Sequence, residues 1–374
     1  MKMKVRLGNY IQEYSVRNKS GKDIPVYSVT NTQGFCRDYF GKEVASKDKT
    51  TYKIVPRGCF AYNPSRINVG SVDYQRYEDQ VIVSPLYNVF EVSNEIDKQY
   101  LYYYLRSDVT LQHIKAVASG SVRDNLKLSM LCEFPIEIRT IAEQNQIVEI
   151  LDKINKIIIL YKKQLQQLDE LVKARFVEMF GDPILNPYNW DVVTIGDIVT
   201  DVRYGTSKPA VEGGKYPYLR MNNLTYDGHL DLANLKYIDI PDSEIEKCIV
   251  RKGDILFNRT NSIELVGKTC VYDLEDNMVI AGYIIRVRLC DKVLPIVLSS
   301  YMNSTVLKDQ LRSMAKGAVN QANINAQELQ SIKIYLPPIN LQKQFATFVK
   351  QVDKSKVVLQ IIISKLKSIK GELR

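Results

Sequence analysis

Several short loops in this sequence combine an arginine or lysine with amide and hydroxyl side chains. Arginine can donate two hydrogen bonds to guanine, and asparagine or glutamine can pair with adenine in a similar two-bond manner. Any one such loop is typical of a solvated turn, but the loops recur at matching places in the two halves of the chain, which favours nucleic-acid contact. The candidate DNA-binding residues are Asn63, Arg66, Arg123, Tyr204, Thr206, Ser207, Lys208, Arg220, Asn222, Asn258, Arg259, Asn320 and Gln321.

No recognisable pattern of catalytic residues accompanies these loops. The chain has only two histidines, His113 and His229, which makes a histidine-based triad or a multi-histidine metal site hard to build. It has neither a Walker-type phosphate loop nor a Gly-x-Gly-x-x-Gly motif after a strand. The string Asn63-Pro64-Ser65 lacks the second proline and the aromatic residue that adenine methyltransferases carry at their target-base pocket. We therefore predict that the chain is not an enzyme and has neither catalytic nor metal-binding residues.

The composition limits the number of domains, the kind of partner and the cellular compartment. The 374 residues are enough for two domains of ordinary size, and the net charge of +9 favours a polyanionic partner without deciding for one. The six cysteines include no Cys-x-x-Cys pair, the N-terminus is polar, and no apolar run is long enough to cross a membrane. These features predict a cytoplasmic protein with reduced thiols and no membrane contact.

The elements that must position the loops include two long helices. Apolar residues alternate at spacings of four and three along residues 140–180 and again along 339–374, which predicts two helices packed lengthwise. Phe345 follows Ile147 by 198 residues, and Leu366 follows Leu168 by the same number. The predicted seam consists of Ile147, Leu151, Ile154, Ile158, Leu165, Leu168, Phe345, Val349, Val352, Leu359, Ile363 and Leu366.

The regions before the two helices also match each other. Gly58, Asn63 and Gly70 in the first half correspond to Gly253, Asn258 and Gly267 in the second, in the same order. Short β-type runs alternate with turn-forming residues in both. The tyrosine-rich run 97–118 has helical spacing and is predicted to turn its aromatic side chains towards a core rather than towards bases. The chain is therefore predicted to be an α+β protein with an internal repeat. Its segments are a mixed-sheet domain at 1–139, a spacer helix at 140–182, a second domain at 183–338 and a second spacer helix at 339–374.

These motifs resemble the DNA-specificity subunit of type I restriction–modification systems. The resemblance is strongest in IAEQNQIVEILDKINKII and KARFVEMFGDP, with a weaker second copy in LPPINLQKQFATFVKQVDKSK, and it includes WDVVTIGDI and KGDILFNRTNS. It implies two target-recognition domains joined by an antiparallel coiled coil, each reading one half of a split site in double-stranded DNA. It also implies that the helices bind two modification subunits, which carry S-adenosylmethionine and methylate adenine, and that two restriction subunits can join. The chain itself would bind no cofactor.

Two other interpretations remain at this point. One is a coiled-coil adaptor whose flanking domains do not touch DNA, and the other is a self-contained methyltransferase or nuclease, which the missing motifs disfavour. The second helix also departs from the family pattern, because Lys356 and Lys370 interrupt its apolar ladder. We therefore expect looser helix pairing near that end.

Overall fold

The structure, a computed structural model, describes residues 4–37, 48–118, 125–318 and 321–372. The chain divides into two units, one formed by Met1–Lys162 with Gln360–Arg374 and the other by Lys163–Leu359. Each long helix contributes one part to each unit.

The first unit is built on a four-stranded antiparallel sheet with the order β2-β9-β6-β7. Three two-stranded pairs (β1-β10, β3-β4 and β5-β8) complete its strands among the described residues. Its elements are β1 (Lys4–Arg6), β2 (Ile11–Glu13), β3 (Ser28–Thr30), β4 (Gly34–Cys36), β5 (Lys53–Pro56), β6 (Phe60–Tyr62), β7 (Val72–Tyr74), β8 (Gln80–Val83), β9 (Asn88–Val92), α1 (Lys98–Leu105), α2 (Asp108–Ala118), α3 (Leu128–Cys132), β10 (Pro135–Glu137) and the first part of α4 (Ile141–Phe180).

The second unit has the equivalent sheet in the order β12-β20-β16-β18, and a second four-stranded sheet, β14-β13-β19-β15, in which β13 and β19 are parallel. Its elements are β11 (Asp191–Thr194), β12 (Val199–Tyr204), β13 (Tyr216–Leu219), β14 (Lys236–Ile238), α5 (Asp242–Cys248), β15 (Ile249–Val250), β16 (Ile255–Asn258), β17 (Thr260–Asn261), β18 (Thr269–Val271), β19 (Met278–Ile280), β20 (Ile284–Leu289), α6 (Pro295–Met302), α7 (Thr305–Met314), β21 (Lys316–Ala318), β22 (Gln321–Asn323), α8 (Ala326–Gln330), β23 (Lys333–Leu336) and most of α9 (Ile339–Glu372).

Strand register confirms the internal repeat. Phe60 of β6 lies opposite Tyr74 and Phe90, and Ile255 of β16 lies opposite Val271 and Val287 in the same way. These central strands are apolar and buried on both faces, which is why they read as continuous apolar runs in the sequence. The predicted α+β class is confirmed.

A buried glutamine at the start of each long helix makes the same three hydrogen bonds in both units. The Gln144 side chain accepts from the Asp97 amide at 2.7 Å and donates to the carbonyls of Glu95 and Arg139, both at 2.8 Å. This set of contacts fixes α4 to the segment that precedes α1.

Gln342 repeats the arrangement 198 residues later. It accepts from the Leu294 amide at 2.9 Å and donates to the carbonyls of Lys292 and Pro337 at 3.0 and 2.8 Å. Both glutamine side chains are fully buried and fully hydrogen-bonded, so each one locks a long helix to its own domain.

The two long helices run antiparallel in the second unit. In the second unit, the ring of Phe180 on α4 lies 5.3 Å from that of Phe345 on α9, and eleven residues further along α9 the Lys356 ammonium lies 2.6 Å from Asp169, eleven residues earlier on α4. In the first unit, the Lys370 ammonium donates to Asn155 at 2.6 Å. Both lysines that interrupt the apolar ladder therefore form polar contacts with α4, and looser pairing near that end stays a prediction.

The predicted seam residues fall into two groups. Ile147 and Leu151 belong to the core of the first unit, and Phe345 and Val349 to that of the second, so the beginning of each helix packs on its own domain. Ile154, Ile158, Val352, Leu359 and Ile363 are also buried, whereas Leu165, Leu168 and Leu366 are partly exposed. The helices themselves lie within the predicted spacer segments, and the four-segment division stays a prediction.

The tyrosine-rich run contains two helices, where the sequence spacing predicts one continuous helical run. Helix α1 ends at Leu105 and α2 begins at Asp108, with the Ser107 hydroxyl accepting from the Thr110 amide at 3.2 Å. Tyr100 and Tyr103 are buried, as predicted for core aromatic residues. Among the described residues, no helix has both the length and the apolar character needed to cross a bilayer.

Candidate nucleic-acid interface

Four strands of the second unit end at the same place. Leu219 at the end of β13 lies beside Ile280 at the end of the parallel strand β19. Tyr204 at the end of β12 and Asn258 at the end of β16 lie opposite Ile285 and Ile284 at the start of β20. The connection 281–283 is thus surrounded by the loops that follow β12, β13 and β16, which carry most of the residues predicted from the second half of the sequence.

Backbone hydrogen bonds hold two of these segments together. The Thr206 amide donates to the Ile280 carbonyl at 2.9 Å, and the Gly282 amide donates to the Thr206 carbonyl at 2.8 Å. A Cβ atom on Gly205 would lie 2.2 Å from the Ile280 carbonyl oxygen, so this approach requires glycine. The predicted Thr206 is therefore partly buried in the framework, while Ser207 next to it is exposed.

A half-buried arginine, Arg259, and two exposed tyrosines form an aromatic and cationic group at this edge. The Arg259 guanidinium lies 4.9 Å from the centre of the Tyr204 ring, and its amide donates to the Tyr283 carbonyl at 3.0 Å. The exposed fractions of Tyr204 and Tyr283 are 44% and 51%. Aromatic rings and arginine planes are the groups on which nucleic-acid bases stack, and the Tyr204 hydroxyl is fixed because it accepts from the Ala326 amide at 2.9 Å.

The structure gives Asn258 a structural role, which corrects its assignment as a DNA-contacting residue. Its side chain is fully buried and donates to the carbonyls of Thr260 and Tyr283, both at 3.1 Å, while accepting from Asn261 at 2.8 Å. Its side-chain amide and oxygen are both hydrogen-bonded inside the protein. Asn258 therefore orients the Arg259 loop, and contact with DNA falls to the neighbouring residues.

Four more of the predicted residues of the second unit lie around this edge. Lys208 forms an ion pair with Glu244 at 2.9 Å, and the Arg220 guanidinium donates to the Asn234 carbonyl at 3.2 Å. Asn222 is exposed. Gln321 is exposed on β22, whose partner strand β17 directly follows Arg259. Asn320 lies outside the described residues.

The first unit has an equivalent edge with different side chains. The Asn63 amide donates to the Ser71 carbonyl at 3.3 Å, as the Asn258 amide does to the Lys268 carbonyl at 2.8 Å, so the predicted pairing of these asparagines is geometrically correct. The Asn63 side chain, in contrast, is partly exposed and caps its own turn by accepting from the Ser65 amide at 3.1 Å.

The position equivalent to Arg259 is occupied by a proline in the first unit. The Leu126 amide donates to the Pro64 carbonyl at 3.1 Å, as the Ile324 amide does to the Arg259 carbonyl at 2.9 Å. Arg66, two residues later, is exposed and supplies a basic group near this edge. Arg123 lies outside the described residues. The two edges share a framework and differ in the groups they present.

Sequence reasoning missed Tyr283, which lies at the centre of the second edge. The sequence feature that could have identified Tyr283 is its position directly before β20. The sequence comparison of the two halves already matches this strand to β9. The counterpart connection in the first unit also exposes a large residue, Leu86, whose exposed fraction is 79%.

One polar cluster has the residue types of a metal site. Ligand atoms of Asp169, Asp227 and His229 lie within 4.8 Å of one another. The Lys356 ammonium lies 2.6 Å from Asp169 and 3.3 Å from the His229 Nε2 atom, which places a positive charge among these groups. Partial burial would raise the pKa of Asp227, but hydrogen bonding to Thr225 and the charges of His229 and Lys356 lower it overall. We therefore interpret the cluster as an ion-pair network.

Taken together, these features define a protein with two α+β units, each presenting a polar strand edge, and with long helices packed on both. A family model described as the type I restriction modification DNA specificity domain matches residues 5–170 and 187–367, and the chain belongs to this family.

Individual relatives agree with this assignment. The chain is 23% identical over 368 residues to the EcoKI specificity subunit of Escherichia coli, an alignment that covers 93% of this chain and 79% of that protein. It is 33% identical over 172 residues to a candidate type I specificity subunit of Methanocaldococcus jannaschii, MjaX, and there it spans 45% of this chain and only 40% of the relative's length.

A solved structure has the same fold. It comes from work titled as the structural basis of complex assembly and conformational transition of the type I R-M system. The match has a TM-score of 0.63 at 18% identity and covers 99% of this chain and 96% of that one.

Proposed function

We propose that this chain is the DNA-specificity subunit of a type I restriction–modification system. Each unit reads one half of a split target in double-stranded DNA through its strand edge. The observation that carries the proposal is the repetition of one edge framework with different side chains. One unit has half-buried Arg259 with exposed Tyr204 and Tyr283, and the other has partly exposed Asn63 with exposed Arg66. A duplicated frame with diverged contacts suits a protein that reads two different short sequences.

The chain acts without catalytic residues of its own. Two modification subunits dock on the long helices, bind S-adenosylmethionine and methylate adenine, and two restriction subunits can join this complex. The duplication supports two docking sites, because each unit contains one part of α4 and one part of α9. The complex acts on cellular DNA in the cytoplasm.

Reconstitution tests this proposal. The chain and the modification subunit encoded next to it are purified separately and together, and transfer of labelled methyl groups from S-adenosylmethionine to DNA is measured. We expect methylation only when both proteins are present. Methylation by the chain alone would show that the chain is itself a methyltransferase. If the modification subunit methylated the same split sequence without this chain, the chain would be an adaptor that does not select the DNA sequence.

A further inference from the structure

The loop Arg220–Asp231, here called the 220s loop, has unusually firm support for an exposed segment. It follows β13 and carries two of the predicted DNA-contacting residues, Arg220 and Asn222. Its internal brace is the buried Asn223, which accepts from the Arg220 amide at 2.9 Å and donates to the Asp231 carbonyl at 2.8 Å. The loop therefore presents Asn222 to solvent from a fixed turn.

A buried lysine stabilises this turn through hydrogen bonds to its backbone. The exposed fraction of Lys268 is 8%, and its ammonium donates to the carbonyls of Met221 and Leu224 at 3.1 and 3.0 Å. Burial lowers the pKa of this lysine. Removing an ammonium from water is costly unless hydrogen bonds offset the loss, and both of these hydrogen bonds go to the 220s loop.

The repeat shows that the shared framework does not need this lysine. The backbone position equivalent to Lys268 in the first unit is Ser71, as the matched hydrogen bonds of Asn63 and Asn258 establish. Lys268 is therefore specific to the unit that contains the 220s loop.

Helix α7 supports the middle of the loop. The Lys308 ammonium lies 4.8 Å from the centre of the Tyr226 ring and donates to the Gly267 carbonyl at 2.9 Å. Arg312 donates to the Tyr226 hydroxyl at 2.5 Å. These contacts fix Tyr226 between the loop and the helix.

The far end of the loop reaches the long helices. His229 Nε2 lies 3.6 Å from the Asp169 carboxylate of α4 and 3.3 Å from the Lys356 ammonium of α9. Asp169 and Lys356 are themselves paired at 2.6 Å. The loop is thus held between the strand edge and the helix pair of its own unit.

We propose that Lys268 and the Asp169–Lys356 pair are positioning residues that set the base specificity of the second unit by fixing the 220s loop against its DNA half-site. This inference rests on the proposed function. Neither support touches DNA. Each acts by holding Arg220 and Asn222 in the geometry that two-bond base contacts require.

The first variant is Lys268→Met, which removes the ammonium and keeps a side chain of similar volume. It is tested in the complete complex with the modification subunits, on duplexes with a single base-pair change in either half-site. We expect discrimination at the half-site of the second unit to fall by about tenfold or more, and discrimination at the other half-site to stay unchanged. The control is Lys252→Met, which removes an exposed lysine paired with Glu275.

Salt dependence separates positioning from direct contact. A lysine that neutralises one phosphate contributes about 0.9 to the slope of log affinity against log salt. We expect Lys268→Met to leave this slope unchanged. A slope reduced by about 0.9 would show that Lys268 contacts DNA and would overturn the proposal, as would normal discrimination in a folded variant.

The second variant is Asp169→Asn, with Glu275→Gln, an exposed acidic residue outside the long helices, as its matched control. It keeps the helix and removes the charge that faces Lys356 and His229. We expect a smaller loss of discrimination at the same half-site and unchanged discrimination at the other half-site. If Lys268→Met does not fold, this variant decides the question, and unchanged discrimination would reject the inference.

The outcomes also distinguish this inference from the function on which it rests. A wild-type complex that fails to prefer any split site would reject the proposed function. A wild-type complex that reads both half-sites, with variants that read them equally well, would reject only the positioning role.

Discussion

Replacing Arg259 by alanine is the sharpest perturbation of the second edge. Its guanidinium lies 4.9 Å from the centre of the Tyr204 ring, and its buried Nε atom has no hydrogen-bond partner among the described residues. One good two-bond contact to guanine contributes about 1–3 kcal/mol of discrimination, or roughly 5- to 150-fold. We expect the variant to lose this factor at one base pair of one half-site.

The assay is competition binding by the assembled complex, with duplexes altered at one base pair at a time. Arg259→Lys keeps the charge but not the planar fork, so it should retain most of the affinity and little of the discrimination. Loss of the contact with Tyr204 costs the free protein about 0.5–1 kcal/mol, which thermal unfolding would register separately. Arg251→Ala, an exposed arginine paired with Glu246 before the start of β16, is the matched control.

Two results would refute this reasoning. If both half-sites lost discrimination together, the two units would not read DNA independently. If Arg259→Ala bound every duplex as the wild type does, this edge would not be the DNA-contacting surface.

Three further predictions concern the framework. Ile154→Asp should abolish co-purification with the modification subunit, because it buries a carboxylate among apolar side chains, whereas Lys252→Asp, at an exposed position outside the long helices, should not; equal retention of the partner by both variants would contradict this. Gln342→Ala should destabilise the second unit by about 2–4 kcal/mol, since it leaves buried backbone groups unpaired, and hydrogen exchange should show that the first unit is unaffected. Burial lowers the pKa of Lys308 to about 8; the unfolded chain then binds more protons between about pH 8 and 10.5, so wild-type stability should rise across that range relative to Lys308→Met. If the urea midpoints of the two proteins changed with pH in the same way, the lowered pKa of Lys308 would be contradicted.

The long helices and the repeat could be predicted because they depend on periodic patterns. The alternation of four and three residues and the constant offset of 198 survive in the structure as antiparallel helix contacts and as the matched Gln144 and Gln342 hydrogen bonds. Periodicity does not show which apolar residues of a helix pack on the other helix and which pack on a domain. Leu151 and Phe345, both predicted for the seam between the helices, lie in domain cores.

The details of the candidate interface were less predictable. The sequence identified Asn258 as a landmark but not the direction of its side chain, which points inward and donates to the carbonyls of Thr260 and Tyr283. Lys268 and Lys308 look like ordinary surface lysines in the sequence, because burial of a charge depends on carbonyl groups supplied by distant segments. Tyr283 becomes visible as a candidate only when four strand ends are brought together.

The central claim is that this chain selects a split DNA sequence for adenine methylation. Its most direct test is single-molecule sequencing of host DNA for methyladenine, with the chain present, deleted, or carrying Arg259→Ala. We expect one split motif methylated on both strands. It should be absent after deletion, and it should become degenerate in one half only with Arg259→Ala. An unchanged set of methylated motifs after deletion would contradict it.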